Sequence, residues 1–254
     1  MKKHKIDLNA DLGESYGVFQ IGQDEKILPW ITSANLACGY HGGDPKTIYQ
    51  TVKKAIQHQV QIGAHPSLPD FMGFGRRKMQ IPPDELYHLL IYQLGALDAF
   101  TRVCGTKLHH VKPHGALYHL SAEQEEIADS IAKAVSDFNP DLILFGPAKS
   151  HSIKAAKKYG LRVAEEVFAD RTYQPDGTLT PRTAKQAIIE HAEEAIQQAL
   201  DIILHNQVKT VTGETIPLRG DTICLHGDHP KADQFAEQLY QALQANGIEI
   251  KGVA

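Results

Sequence analysis

The sequence predicts an α/β barrel, and three observations favour this class. Its 254 residues, 42% of them hydrophobic, are enough to bury one large core, so we expect one domain spanning residues 1–254. Short apolar runs alternate with amphipathic stretches, which is typical of βα units around a parallel sheet. Segments that contain histidines or carboxylates stand at the ends of six of these runs, and in a barrel such strand ends meet on one rim.

Seven apolar runs are candidate strands. In chain order they are Ile6–Leu12, Ser33–Ala37, Gln61–Ala64, Leu108–Lys112, Asp141–Phe145, Arg162–Val167 and Thr222–Leu225. Nearly all are followed by helical periodicity, as a βα repeat requires. A closed barrel is favoured, and an open sheet of six strands remains an alternative.

Local signals mark further elements between these runs. Asp44 and Pro45 predict a helix start, with an aspartate N-cap and proline at the first helical position. Ser121 and Gln124 have the spacing of a capping box, which predicts a second helix start. The stretch Val208–Leu218 is typical of a β-hairpin, although a plain loop is an alternative.

Charge and cysteine content narrow the function class. The formal charge of −4 gives no basic field for a nucleic acid or an acidic membrane surface. Cys38, Cys104 and Cys224 are far apart and form no C-x-x-C pair, so neither a disulfide framework nor a zinc ribbon is predicted. No apolar run approaches the roughly 18 residues that a membrane span needs. We therefore expect a cytoplasmic protein that acts on a small molecule.

The candidate site residues follow the strand ends. Within or just past the end of each run, they are Asn9, Asp11 and Glu14 for the first, Asn35 and His41 for the second, His65 for the third, Lys112 and His114 for the fourth, Asp170 and Arg171 for the sixth, and His226 and Asp228 for the seventh. Four of these histidines lie beside glycine or proline, which lets the backbone approach a ligand closely. We predict that at least two of the four contact a metal ion or substrate.

One carboxylate and two imidazoles form the predicted metal site. Asp11, His65 and His114 would bind a divalent cation and leave positions open for water and substrate. The alternative is that they contact substrate directly, with Asp11 orienting a histidine. His110 is predicted to be structural, because an extended strand would hold it about 13 Å from His114.

Two long connections, residues 66–81 and 170–183, are predicted to be active-site lids because of their length and their arginine and glycine content. Arg76, Arg77 or Arg171 would clamp a carboxylate or phosphate with two hydrogen bonds. Glu14 and Asp228 are candidate acid–base groups or, alternatively, helix caps. The sequence has neither a phosphate-binding P-loop motif nor a serine nucleophile elbow.

Six uncommon strings carry a family resemblance: IDLNADLGESYG, TSANLACGYHGGDP, GAHPSLPDFMGFGRR, HVKPHGALY, EVFADRTYQPDGTL and CLHGDHP. Together they resemble the LamB/YcsF family, over nearly the whole chain. The resemblance implies a seven-stranded barrel of the glycoside hydrolase/deacetylase type. It also implies a cyclic amidase, the A subunit of a 5-oxoprolinase, which opens 5-oxo-L-proline to L-glutamate with consumption of ATP and works together with subunits B and C.

Within that reaction the candidate residues divide into two groups. Asp11, Glu14, Lys112, His226 and Asp228 are expected to be catalytic, and Asn9, Asn35, His41, Arg76, Asp170 and Arg171 are expected to bind substrate. A carboxylate or histidine would deprotonate water, while Lys112 or a cation stabilises the oxyanion. One alternative is a metal-dependent deacetylase of an N-acetyl sugar, although 7% aromatic residues offer little for sugar stacking. Another is a lactam-binding subunit without catalytic activity.

Overall fold

The computed structural model describes residues 4–225 and 232–254, and their strands form a closed parallel barrel and a separate hairpin. The strands are β1 (Lys5–Leu12), β2 (Ser33–Ala37), β3 (Gln61–His65), β4 (His110–Val111), β5 (Ile143–Pro147), β6 (Arg162–Phe168), β7 (Gln207–Lys209), β8 (Thr215–Pro217), β9 (Thr222–Leu225) and β10 (Glu249–Ile250).

Strands β1 to β6 pair in sequence order, β9 pairs with β6, and β9 also pairs with β1, which closes a barrel of seven strands. Every pairing in the barrel is parallel. The prediction of a seven-stranded barrel is confirmed, and the open-sheet alternative is wrong. The hairpin predicted at Val208–Leu218 is also present, as the antiparallel pair β7 and β8.

Helices surround the barrel. They are α1 (Asp24–Ile27), α2 (Pro45–Gln57), α3 (Pro83–Val103), α4 (Gly115–Glu123), α5 (Glu125–Phe138), α6 (His151–Lys158), α7 (Ala192–His205) and α8 (Ala232–Ala245), with short 3₁₀ turns at Leu28–Trp30 and Phe71–Gly73. None of the described helices is both long enough and apolar enough to span a membrane.

The two predicted helix starts have different outcomes. The Asp44 side chain accepts hydrogen bonds from the backbone N–H groups of Lys46 and Thr47, so it caps α2 as predicted. The predicted capping box is wrong, because Ser121 lies inside α4, where its hydroxyl donates to the carbonyl of Tyr118. Helix α5 begins immediately after Gln124, which breaks an otherwise nearly continuous pair of helices.

The barrel strands bury apolar side chains against the helices and mostly polar ones inside the barrel. Alternate residues of β1 illustrate this: Leu8 belongs to the main hydrophobic core, while Asp7 and Asn9 bond to groups on other strands. Both polar residues are almost fully buried, so the interior is a hydrogen-bonded network. That network connects the core to the rim, where the site lies.

The last residues pack at the end of the barrel opposite that rim. Strand β10 pairs in parallel with the start of β1, with Lys5 opposite Glu249. The side chain of Val253 then packs against buried Ile143 and Phe145 on β5. The tail therefore covers apolar side chains that would otherwise face water.

Candidate active site

A pocket of about 570 Å³ opens on the rim formed by the carboxyl ends of the strands. Its strand-end and α4 residues include Asp11, Glu14, His65, Lys112, His114, Tyr118 and Cys224. The two long connections supply Arg76 and Lys78 from one side and Arg171, Thr180 and Arg182 from the other. Both connections therefore line the same pocket, as the sequence predicts. Arg77 points elsewhere, and its guanidinium pairs with Asp70 in its own loop.

Four buried side chains form a tight cluster at one wall of the pocket: Glu14, His41, His65 and His114. One potential ligand atom from each lies within 4.8 Å of all the others, so the group could hold a metal ion. The ring nitrogens His65 Nε2 and His114 Nδ1 are 3.0 Å apart, and His41 Nε2 lies 3.1 Å from Glu14 Oε1.

Two rings of this cluster, those of His41 and His114, are held in the neutral form. Burial lowers the pKa of His41 well below its usual range, and the charge of His65 adds to the effect. Burial likewise lowers the pKa of His114, with contributions from His41 and His65. Neutral imidazoles keep a ring nitrogen with a lone pair, which is the form that binds a metal ion or accepts a proton.

Asp11 lies beside the cluster and connects it to Lys112. Its Oδ2 is 3.3 Å from His65 Nε2, and its Oδ1 is 3.0 Å from the Lys112 ammonium. Burial alone would raise the pKa of Asp11, but His65 and Lys112 outweigh it and hold the pKa well below its usual range. Asp11 is therefore an ionised carboxylate at neutral pH.

Lys112 is a buried ammonium surrounded by acceptors. Its Nζ lies 2.9 Å from Glu166 Oε1 and 3.0 Å from Cys224 Sγ, besides its contact with Asp11. Burial would lower the pKa of Lys112, but Asp11, Cys224 and Glu166 reverse the effect and raise it well above its usual range. The pocket floor therefore carries a fixed positive charge between two carboxylates.

Asn9 and Asn35, expected to bind substrate, lie below this charge and are fully buried. The Asn35 amide donates to Asp11 Oδ1 at 2.8 Å and to Asn9 Oδ1 at 2.7 Å. The Asn9 amide donates in turn to Glu166 Oε1 at 2.9 Å. In this structure the two amides position the carboxylates that hold Lys112, and their contact with substrate stays a prediction.

The Arg171 side chain fastens the second long connection. It is buried, and its guanidinium donates to the carbonyls of Thr180 at 2.7 Å and Ala187 at 3.1 Å. Asp170 lies beside it, and its carbonyl accepts a hydrogen bond from the Ile189 N–H at 2.8 Å. Their predicted contact with substrate remains untested. His226 and Asp228, predicted to be catalytic, lie outside the described residues.

Comparison with known proteins identifies the family. The profile described as the LamB/YcsF family matches residues 6–254. This chain belongs to the LamB/YcsF family.

Relatives of this LamB/YcsF chain agree with the assignment. The 5-oxoprolinase A subunit of Bacillus cytotoxicus is 56% identical over 96% of both chains. That of Oceanobacillus iheyensis is 52% identical over 98% of this chain and 97% of the relative. A lactam utilization protein from Thermus thermophilus has the same fold, with a TM-score of 0.94, 44% identity and coverage of 98% of this chain and 100% of that one.

A more distant likeness concerns the barrel alone. The family 4 carbohydrate esterase from Streptomyces lividans has a TM-score of 0.51 and 11% identity, covering 99% of this chain and 93% of that one. This confirms the deacetylase-type barrel of the LamB/YcsF chain. At that identity it carries no argument for sugar deacetylation.

Three residues of the LamB/YcsF site were missed as functional candidates by sequence reasoning: Glu166, Cys224 and Tyr118. Glu166 and Cys224 lie on strands and both contact Lys112, while Tyr118 lies on α4 and its ring is 5.9 Å from the Lys112 ammonium. Glu166 could have been found from the sequence, because it is a charged residue inside the predicted strand Arg162–Val167. No local motif marks the other two, which meet Lys112 only across the barrel.

Proposed function

We propose that this chain is the A subunit of an ATP-dependent 5-oxoprolinase, which opens the lactam ring of 5-oxo-L-proline to give L-glutamate. Relatives of that name at 52–56% identity over nearly the full length support the proposal. The observation that carries it is the buried Lys112 ammonium beside the ionised Asp11 carboxylate on the pocket floor. Opening an amide consumes water and develops negative charge around the carbonyl carbon. The Asp11 carboxylate can deprotonate the water, and the Lys112 ammonium can stabilise the charge.

The chemistry explains a role for ATP. The lactam is a resonance-stabilised amide in an unstrained five-membered ring, so water alone attacks its carbonyl carbon slowly. Transfer of a phosphoryl group to the amide oxygen would make that carbon a much better electrophile. The activated ring can then be attacked by a water molecule that is only weakly deprotonated.

Asp11 is the proposed base for that water. Its low pKa makes it a weak base, which suffices only for an activated carbon. Water attack would move an electron pair onto the ring nitrogen, which takes up the proton that Asp11 removed from the water. The C–N bond would then break as the added hydroxyl gives its proton to the nitrogen and becomes a carbonyl, and hydrolysis of the resulting acyl phosphate by a second water would release L-glutamate and phosphate. Lys112 is placed to stabilise the negative charge on the ring nitrogen and the phosphoryl oxygens, because its ammonium is fixed in a buried site before the reaction begins. Glu14 is a second candidate carboxylate on the same wall.

Cationic side chains at the pocket mouth are proposed to hold the anionic parts of the substrate. Arg76, Lys78 and Arg182 line the upper walls. The substrate carries a carboxylate, and its activated form carries a phosphate as well. Guanidinium groups match both anions with paired hydrogen bonds.

ATP is proposed to be consumed by the complex, with subunits B and C as partners. The chain has no P-loop motif, which favours a nucleotide site on a partner. The relatives are named as subunits, which supports assembly with other chains. A reducing cytoplasm suits the three free thiols, Cys38, Cys104 and Cys224.

The decisive experiment measures glutamate formation from 5-oxoproline and ATP by this chain alone, by subunits B and C alone, and by the mixture. We expect activity in the mixture only. Replacing Asp11 with asparagine should abolish turnover while 5-oxoproline still binds, as judged by calorimetry on the complex. Unchanged turnover would instead favour a lactam-binding subunit without catalytic activity, and acetate release from an N-acetyl sugar without ATP would favour the deacetylase.

A further inference from the structure

Two imidazoles in the buried cluster face each other in a way that two neutral rings cannot sustain. His65 Nδ1 lies 2.7 Å from the Lys112 carbonyl oxygen, and His114 Nε2 lies 2.8 Å from the Phe74 carbonyl oxygen. A carbonyl oxygen only accepts, so each of these nitrogens carries the ring hydrogen. The remaining nitrogens, His65 Nε2 and His114 Nδ1, then direct lone pairs at each other across 3.0 Å.

A positive charge between the two lone pairs removes the conflict, and two sources are available. One is a proton on His65, which the Asp11 carboxylate 3.3 Å away would stabilise. A proton there does not account for the rest of the cluster, because Glu14 Oε1 and His41 Nε2 converge on the same region. The other source is a metal ion, which accounts for all four groups together.

We propose that Glu14, His41, His65 and His114 bind one divalent transition-metal ion of the zinc class. The inference goes beyond the proposed reaction, since it concerns occupancy of the site with or without substrate. One carboxylate and three imidazoles are borderline donors, the kind that zinc and its neighbours prefer over magnesium or calcium. Bonds of 2.0–2.1 Å in a tetrahedron put ligand atoms roughly 3.3 Å apart.

The observed separations agree with that requirement for three of the four contacts that can be compared. His65 Nε2 to His114 Nδ1 is 3.0 Å, His41 Nε2 to Glu14 Oε1 is 3.1 Å, and His114 Nδ1 to Glu14 Oε1 is 3.6 Å. The fourth contact, between His41 and His114, does not fit without movement of a ring. The two rings stack in parallel with centroids 3.7 Å apart, so their nitrogens do not point at one common position. A tilt of His41 would bring its lone pair into line, and its Nδ1 has no hydrogen-bond partner among the described residues to oppose the movement.

The carbonyl contacts are also those expected around a metal site. A metal-bound histidine usually donates its other N–H to a backbone carbonyl or a carboxylate, which fixes the ring orientation. His65 and His114 each have such a partner. Asp11, which the sequence predicts to be a ligand, uses Oδ1 to accept from Asn35 and to pair with Lys112, while its Oδ2 lies 3.3 Å from His65 Nε2. Its part in metal binding stays a prediction.

Metal content of the isolated chain tests the inference without substrate or partner subunits. The chain is stripped with a chelator, reloaded with Zn²⁺ or Co²⁺, dialysed, and assayed by elemental analysis and by the visible spectrum of Co²⁺. We expect about one ion per chain and a tetrahedral Co²⁺ spectrum. Glu14→Gln and His114→Gln should weaken metal binding by more than about 100-fold. Loss of a residue that only hydrogen-bonds to a metal ligand already lowers metal affinity by about 10–100-fold, and loss of a ligand should cost more.

Two further variants separate the ligand sets. Asp11→Asn removes the rival carboxylate, and His119→Gln removes a histidine that lines the pocket outside the cluster. Both should keep one ion per chain. Loss of the ion in Asp11→Asn with retention in Glu14→Gln would overturn the proposed ligands, with circular dichroism confirming that each variant is folded.

Failure of wild type to hold a stoichiometric ion would overturn the metal site itself. Glutamate formation by the metal-free complex, together with that result, would leave the proposed function intact. Stoichiometric metal binding by a chain that gives no glutamate with subunits B and C would support the metal site and count against the proposed function.

Discussion

A Cβ atom on Gly63 would lie 2.1 Å from Nε2 of His110, so the absence of a side chain on β3 makes room for the imidazole on β4. That ring donates from Nε2 to the Asn35 side-chain carbonyl at 2.8 Å and stacks on Phe145 with centroids 4.2 Å apart. Gly63 thus supports the lower part of the network that positions Asp11.

Gly63→Ala should destabilise the protein by roughly 1–3 kcal/mol or more, because the added methyl group forces His110 out of its packed position. Gly95→Ala is the matched control, since a Cβ there meets nothing within 4 Å and the residue lies inside helix α3. The control should be neutral or stabilising by up to about 1 kcal/mol. Urea unfolding measures both, and equal effects of the two variants would contradict the prediction.

Asp7 should make stability fall as the pH rises. Burial raises its pKa to about 6, although the Ser33, Thr222 and Thr32 hydroxyls partly offset the effect. Because the folded pKa lies above the unfolded value of about 3.9, the contribution of Asp7 is fully present below that value and is lost as the pH rises through about 6. The difference of about two pKa units corresponds to roughly 3 kcal/mol.

The measurement compares wild type with Asp7→Asn by urea unfolding from pH 4 to pH 7.5. The variant cannot ionise at this position, so the free energy of unfolding of wild type should decrease relative to it by roughly 3 kcal/mol over that range. Parallel stability curves would show that Asp7 does not titrate between these pH values.

His65→Ala and His114→Ala should each lower the turnover of the proposed 5-oxoprolinase complex by roughly 10²–10⁴, or about 3–5 kcal/mol of barrier. Both rings lie in the pocket beside Asp11, so each loss removes a positioned group. His88→Ala, an exposed change on helix α3, serves as the control. Turnover close to wild type in a folded His65 or His114 variant would show that the histidine is structural.

Arg171→Lys should lower stability more than it alters catalysis. A lysine keeps the charge but loses the planar fork whose Nε and Nη2 donate to the Ala187 and Thr180 carbonyls. Hydrogen bonds from charged groups contribute roughly 1.5–3 kcal/mol each. We expect a loss of about 1–3 kcal/mol, with little change in Arg102→Lys, whose side chain is exposed. A raised KM with unchanged kcat and unchanged stability would instead show that Arg171 binds the substrate carboxylate.

Sequence periodicity predicts the barrel strands well because each is an apolar run bounded by turn residues. The fourth is the least accurate: the prediction spans Leu108–Lys112, while β4 is His110–Val111, since β3 pairs with it only at these two positions. Strand β10 was missed, because two residues give no periodic signal and its partner is the distant start of β1.

The sequence predicts which residues reach the rim, but it does not predict which of their side chains contact each other. Barrel geometry brings Asp11, His65 and His114 to one rim whatever the details of packing. The contact of Lys112 with Glu166 and Cys224 depends on which inward-facing side chains meet across the barrel. That depends on strand tilt and side-chain length, which no local pattern encodes.

The tail packs Val253 against Ile143 and Phe145, and so covers part of the end of the described barrel that lies opposite the rim. The pocket that reaches Lys112 is lined at the rim by residues of the two long connections. A partner chain bound over that rim would cover the entrance of the pocket. In the proposed 5-oxoprolinase reaction, such a partner would retain the activated, water-sensitive ring above Lys112 until hydrolysis, with no movement required of the barrel itself.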